Sequence, residues 1–259
     1  MNFQRPRAIS PFLVPLLFLA GFPSQRLALG SESQEIHVAV ASNFSAPAKA
    51  IVTRFEKRTG HRVILVFGAT GKHYAQITNG APIDILLAAD ERRPRRLEQA
   101  GGGVPGSRFT YAIGRLVLWS AREDYVDGDG KVLAQRGFRH LAIANPKLAP
   151  YGEAARQVLQ KLGLWEDLQE HLVRGENIGQ TFQFVKTGNT ELGFVSYSQV
   201  RQTNKAVPGS YWLVPQSLYQ PIRQQAILVR DGAPARAFLS FVQGGEVEAI
   251  LQEHGYSIP

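Results

Sequence analysis

A chain of 259 residues without a single cysteine excludes disulfides and thiolate metal sites, and leaves a packed apolar core as its source of stability. Its formal charge of +8 is a moderate excess that can steer anions but identifies no partner. Beyond the N-terminal segment, no apolar run is long enough to cross a membrane as a helix.

The first thirty residues read as a secretory signal peptide rather than as part of the fold. Arg5 and Arg7 precede an apolar run from about Ile9 to Phe22, and Ala28-Leu29-Gly30 supplies small residues for a signal peptidase. The run is short and interrupted by proline, and no cysteine follows it to carry a lipid. Removing this segment (1–30) takes away three arginines and no acid, which lowers the formal charge from +8 to +5.

In chain order, "EIHVAVASN" (35–43) reads as a buried strand ending in small polar residues. A helix follows over 46–60, with Ala48, Ile51, Val52 and Phe55 on one face and Gly60 as its stop. A strand is expected over 61–67, a helix over 71–80 and a strand over 83–90. These strands are continuously apolar, which argues for a parallel sheet covered on both faces. The cluster "RRPRR" (92–96) reads as a solvated helix start, with a protein-docking surface as the alternative and no role in binding nucleic acid. "GGGVPG" (101–106) is a loop, and 114–120 a strand. The polar loop 123–132 contains Asp127-Gly128-Asp129-Gly130 but lacks the spacing and terminal Glu of a calcium loop. A strand over 140–146, helices over 152–163 and 176–189, and a strand over 191–200 follow. After a linker come a strand over 225–230 and C-terminal helices. The pattern gives two α/β lobes, and the last strand and helices fit either.

Gly71-Lys72 looks like the end of a nucleotide phosphate loop. Val66 stands where that loop needs its first Gly, and His73 where it needs Ser or Thr, so we reject the motif. The six histidines are scattered and form no metal motif. No G-x-S-x-G elbow is present, although Ser42 follows a strand as a nucleophile would.

Four places set small or polar residues just before a helix: Ser42-Asn43, Gly68 to Gly71, Pro150-Tyr151-Gly152 and Asn177-Ile178-Gly179. Singly each is a helix cap. Together they fall at the carboxyl ends of strands, where open parallel sheets bind ligands. Each helix start brings about half a positive charge and unpaired N–H donors. Such a site holds a dianion with neutral groups alone.

The segments "VAVASNFSAPAKAIVTRFEKRTGH", "FGATGKHYAQITNGAPIDILLAAD", "ANPKLAPYGEAARQVLQKLGLW", "ENIGQTFQFVKTGNTELGFVSYSQV" and "YQPIRQQAILV" run in the order of a known family. The chain resembles the periplasmic molybdate-binding proteins, the receptors of ABC-type importers. The resemblance implies a type II periplasmic binding protein fold of two α/β lobes with a ligand cleft between them. It places 34–114 with 223–259 in one lobe and 115–222 in the other, with hinges near Gly114–Arg115 and Gln220–Gln225. It implies side-chain donors at Ser42, Asn43, Thr70 and Tyr151, a backbone N–H at Ile178, and in some members one at Ala89. Other members place a tyrosine in the "GFVSY" strand, where this chain has Ser196 followed by Tyr197. The implied ligand is molybdate or tungstate, held without cofactor or catalysis. The implied partner is a membrane ABC importer permease, and the protein a periplasmic monomer.

A donor-only pocket suits an anion that carries no proton. A protonated phosphate would leave its hydrogen unpaired there, at a cost of about 1–3 kcal/mol. The alternatives are a receptor for sulfate or an organic acid, an exported hydrolase using Ser42, and an interaction module whose site has drifted. A carboxylate ligand would call for an arginine, and none lies in the four segments.

Overall fold

The computed structural model describes residues 1–3, 34–201 and 206–259. The expected signal peptide lies outside the described residues from its fourth residue on.

The chain opens with β1 (Glu35–Ala41), a short 3-10 turn at Ser42–Phe44, and α1 (Ser45–Thr59). The face predicted for α1 is buried, and Gly60 ends the helix at φ 75°, with its N–H returned to Glu56 O. Then come β2 (Arg62–Gly68), α2 (Thr70–Thr78), β3 (Ile85–Leu87), α3 (Arg92–Gln99) and β4 (Phe109–Gly114). β3 is much shorter than the strand expected over 83–90. Asp84 O is taken by the N–H of Val229 and the Asp84 carboxylate by the N–H of His37, while Ala89 turns its N–H away to Thr70.

The second half begins with β5 (Leu116–Ser120), α4 (Val132–Gln135), β6 (Leu141–Ala144) and α5 (Pro150–Lys161). It continues through β7 (Leu172–Gly175), α6 (Ile178–Lys186), β8 (Leu192–Ser196), α7 (Tyr197–Val200) and β9 (Ser210–Leu213). The chain then returns as β10 (Ile222–Leu228) and closes with α8 (Ala233–Val242) and α9 (Gly245–Glu253).

Two five-stranded sheets result. One runs β2-β1-β3-β10-β4 and the other β7-β6-β8-β5-β9. In the first, β1 pairs in parallel with β2 and β3, and β10 lies antiparallel between β3 and β4. In the second, β6 pairs in parallel with β7 and β8, and β5 lies antiparallel between β8 and β9. The single strand expected over 114–120 is in fact the end of β4 and the whole of β5, which belong to different sheets. The break falls at Gly114–Leu116, where the chain crosses from one sheet to the other, and it crosses back before β10.

The polar loop 123–132 is an aspartate turn. The Asp127 carboxylate accepts the N–H groups of Asp129, Lys131 and Val132, which fixes the start of α4. The charged cluster of α3 is less solvated than its sequence implies. Arg93 is buried, pairs with Asp90, and donates across to Lys147 O at 2.9 Å.

Candidate functional site

Four helix starts converge between the lobes. β1 delivers Ser42 and Asn43, and β2 delivers Ala69 and Thr70 at the head of α2. β6 leads to Pro150 and Tyr151 in the first turn of α5, and β7 leads to Ile178 in α6. One cavity is lined by Ala41, Ser42, Asn43, Gly68, Ala69, Thr70, Ala89, Ala149, Pro150, Tyr151 and Ile178. It therefore brings together Ser42, Asn43, Thr70, Ala89, Tyr151 and Ile178, and no charged side chain lines it. Its volume is about 10 Å³, room for about one water-sized sphere.

Backbone donors are abundant here. The N–H of Gly71 goes to Leu148 O, that of Gly152 to Ala149 O, and that of Gly179 to Ser42 Oγ. Among the described residues, no turn or cap bond takes the N–H of Asn43, Thr70, Tyr151 or Ile178. Those of Thr70, Tyr151 and Ile178 sit in first helical turns, where N–H groups have no intrahelical acceptor.

The hydroxyls differ in what they have left to offer. Thr70 Oγ1 accepts the Ala89 N–H at 3.0 Å, so its own proton is free to face the cavity. Ala89 thus lines the cavity but contributes by orienting Thr70, in place of the direct N–H donation expected of it. Ser42 Oγ is engaged across the cleft, accepting from Gly179 N–H at 3.0 Å and donating to Asn177 Oδ1 at 3.0 Å. Asn43 departs from the expected side-chain role. Its Nδ2 donates to Gln224 Oε1 and to Tyr256 OH, both at 2.9 Å, and its Oδ1 is buried without a partner. Asn43 still lines the cavity, and among the described residues no turn or cap bond takes its backbone N–H.

Tyr151 is buried and its oxygen accepts from Gln224 Nε2 at 3.3 Å. Burial pushes its phenol well above the usual tyrosine range, so the group stays a neutral donor. Burial does the same at Tyr111, and pushes Tyr256 up to about 12. The tip of Tyr151 rests on Gly114, where a Cβ would lie 2.1 Å from its oxygen, so only glycine fits that crossover. His73, also buried behind the site, is held below the usual histidine range by desolvation and adds no charge at neutral pH.

Ser196 and Tyr197 do not line the cavity. Ser196 caps α7 and bonds Ser198 Oγ at 2.8 Å, while the Tyr197 ring lies under the guanidinium of Arg115. The sequence pattern did not point to Gln224, Ser198 or Tyr256. Two adjacent glutamines inside the otherwise apolar strand "IRQQAIL" were the available signal for Gln224.

The lobes are closed on each other. Besides the Ser42 bonds, Ser198 Oγ donates to Asn43 O at 3.0 Å, and Lys72 pairs with Glu176 at 2.7 Å. Gly71 abuts the opposite lobe so tightly that a Cβ would lie 2.9 Å from Leu148 O. That close approach is what the Gly-Lys pair serves here. The hydrolase reading lacks a base, since both bonds of Ser42 Oγ go to amide groups. Among the described residues, no group of three His, Asp or Glu could hold a metal ion. What the arrangement can do is surround a small, proton-free anion with neutral donors and helix N-termini.

A family model for bacterial extracellular solute-binding proteins matches residues 36–257. The molybdate-binding protein ModA of Azotobacter vinelandii is 52% identical over 235 residues, covering 90% of this chain and 93% of the relative. ModA of Rhodobacter capsulatus is 48% identical, covering 89% and 91%. A solved structure of the Azotobacter vinelandii periplasmic molybdate-binding protein superposes with a TM-score of 0.84 at 44% identity, covering 86% of this chain and 99% of that one. The two-lobe α/β architecture is that of a periplasmic binding protein. The chain belongs to the bacterial extracellular solute-binding proteins, and its relatives there include the molybdate-binding ModA proteins.

Proposed function

We propose that this chain is an exported receptor that captures molybdate, and tungstate with it, between its lobes and delivers it to a membrane ABC importer. The observation that carries the reading is the convergence of Ser42, Asn43, Thr70, Ala89, Tyr151 and Ile178 on one cavity free of charged side chains. The names of two relatives near half identity support the ligand.

In this reading the lobes are 34–114 with 223–259, and 115–222, which agrees with how the strands divide between the two sheets. A tetrahedral oxyanion is larger than the closed cavity, so its entry parts the lobes and breaks the Ser42 bonds. Ser42 Oγ and Gly179 N–H then turn to the anion. Thr70 and Tyr151 add hydroxyl protons, and Asn43, Thr70 and Ile178 add N–H groups. In this reading the N-terminal segment directs export to the periplasm, where the protein works as a monomer with the importer's permease as its partner and needs no cofactor.

Thermal unfolding with molybdate, tungstate, sulfate, phosphate and citrate in turn tests the reading. Ligand at a hundred times its dissociation constant stabilises by about 2.7 kcal/mol, a rise of about 5–11 °C at this chain length. A shift confined to molybdate and tungstate is the expected result. A shift with sulfate or citrate alone would keep the fold and replace the ligand.

A further inference from the structure

Gln224 does not line the cavity, yet it touches both lobes' share of the donor set. It is fully buried on β10, where the register against β4 slips between Gln224 and Gln225. A buried amide must find its partners within the protein. Gln224 finds them in the site: Oε1 accepts from Asn43 Nδ2 at 2.9 Å and from Tyr111 OH at 3.1 Å, and Nε2 donates to Tyr151 OH at 3.3 Å.

These bonds have a direction. A phenol owns one proton, and because Gln224 donates to the Tyr151 oxygen, that proton is left for another acceptor, the neighbouring Ser196 hydroxyl or a ligand in the cavity. Asn43 shows the other side of the arrangement. Its Nδ2 is held by Gln224 and Tyr256, and its Oδ1 is buried without a partner. Turning the Asn43 amide toward the cavity would require Gln224 to present Nε2 to it. Oε1 would then face Tyr151 and take the phenolic proton. The amide of Gln224 therefore decides which side chain, Tyr151 or Asn43, donates to a bound ligand.

We propose that Gln224 is a positioning residue of the anion site: from the returning strand it sets the direction in which Tyr151 donates, and so tunes the cavity to ligands that only accept hydrogen bonds. The inference rests on the anion-receptor reading above. Gln224→Glu reverses the sense, because a carboxylate can only accept and would hold the phenolic proton itself.

The test uses purified protein with tyrosine labelled with ¹³C at Cζ, the Tyr151 resonance being assigned by its loss in Tyr151→Phe. In the ligand-free protein, Gln224→Glu should move that resonance. Titration calorimetry should show molybdate binding weakened at least tenfold, with the loss growing from pH 5 to pH 8 as the new carboxylate ionises. In a Tyr151→Phe background, the same change should cost clearly less. A Tyr151 resonance that stays in place, or a loss equally large in both backgrounds, overturns the proposal. Should Gln224→Glu fail to fold, the uncharged Gln224→Met is read by the same resonance and the same double-variant comparison. If the unsubstituted protein binds none of molybdate, tungstate and sulfate, the receptor reading falls, and the resonance alone decides whether Gln224 orients Tyr151.

Discussion

Two concave places lie side by side between the lobes, share Ala89 and Pro150, and are built on opposite principles. The outer one is a groove of about 750 Å³ that includes Asp90, Glu91 and Glu153 together with Arg92, Arg156 and Arg223. The inner one is the closed cavity, far smaller and wholly neutral. By size and charge, the groove would be chosen as the anion site. Part of its charge is already engaged, Asp90 with Arg93 and Glu153 with Arg156, while Arg92, Lys147 and Arg223 form no ion pair among the described residues. It is also open to water, which weakens each ionic contact. The cavity holds no cation, but its donors are buried, and the N–H groups of Thr70, Tyr151 and Ile178 are held in place by their helix starts. Preorganised dipoles can outweigh unpaired charge when the ligand is small and fully ionised.

The strongest test of this contrast places a charge in the cavity. Thr70→Asp sets a carboxylate beside the anion and should weaken molybdate binding by more than a hundredfold, about 3 kcal/mol or more, by titration calorimetry. Unchanged affinity would remove the cavity from consideration. Thr70→Ala removes a single donor to a charged partner and should cost about 1.5–3 kcal/mol of binding in the same assay. Gly114→Ala sharpens the role of the crossover. Its Cβ would collide with Tyr151, so we expect about 1–3 kcal/mol of destabilisation in thermal unfolding, with weaker molybdate binding alongside. In the groove, Arg223→Gln should change molybdate affinity less than threefold, and a tenfold loss would transfer the site there. The smallest effect concerns pH. Folded His73 is held neutral by burial, whereas unfolded histidine takes up a proton near pH 6.5. The unfolded state then binds more protons, so stability should fall as pH drops below about 6.5. A His73→Gln variant should show a flatter profile in thermal melts across that range.

Much of the site is legible in the amino-acid sequence because its signals are local. Ser42-Asn43, Thr70, Tyr151 and Ile178 each sit where a buried strand gives way to a helix, and small polar residues mark that junction along the chain. The helix faces are legible for the same reason, as the burial of Ala48, Ile51 and Phe55 in α1 shows. What escapes depends on partners distant in sequence. β7 and β9 are four-residue strands whose pairing alone defines them. The division of β4 from β5 has no local mark beyond Gly114, because both flanking stretches are apolar and extended. The bonds that reassign Ala89 and Asn43 join residues up to 213 positions apart, and no pattern along the chain encodes their direction.

The strand order of the first sheet has a consequence for the life of the chain during synthesis. Among the described residues, β4 pairs only with β10 and, through Ile113, with Ser257. The second sheet, by contrast, is complete once β9 has been made. A nascent chain emerging from its N-terminus can thus finish the middle lobe while the outer lobe still waits for β10 and the helices after it. Until then the strand bearing Gly114 has no neighbour, and the crossover that supports Tyr151 cannot form. In the proposed function, the ligand site would therefore be complete only after β10 has been made.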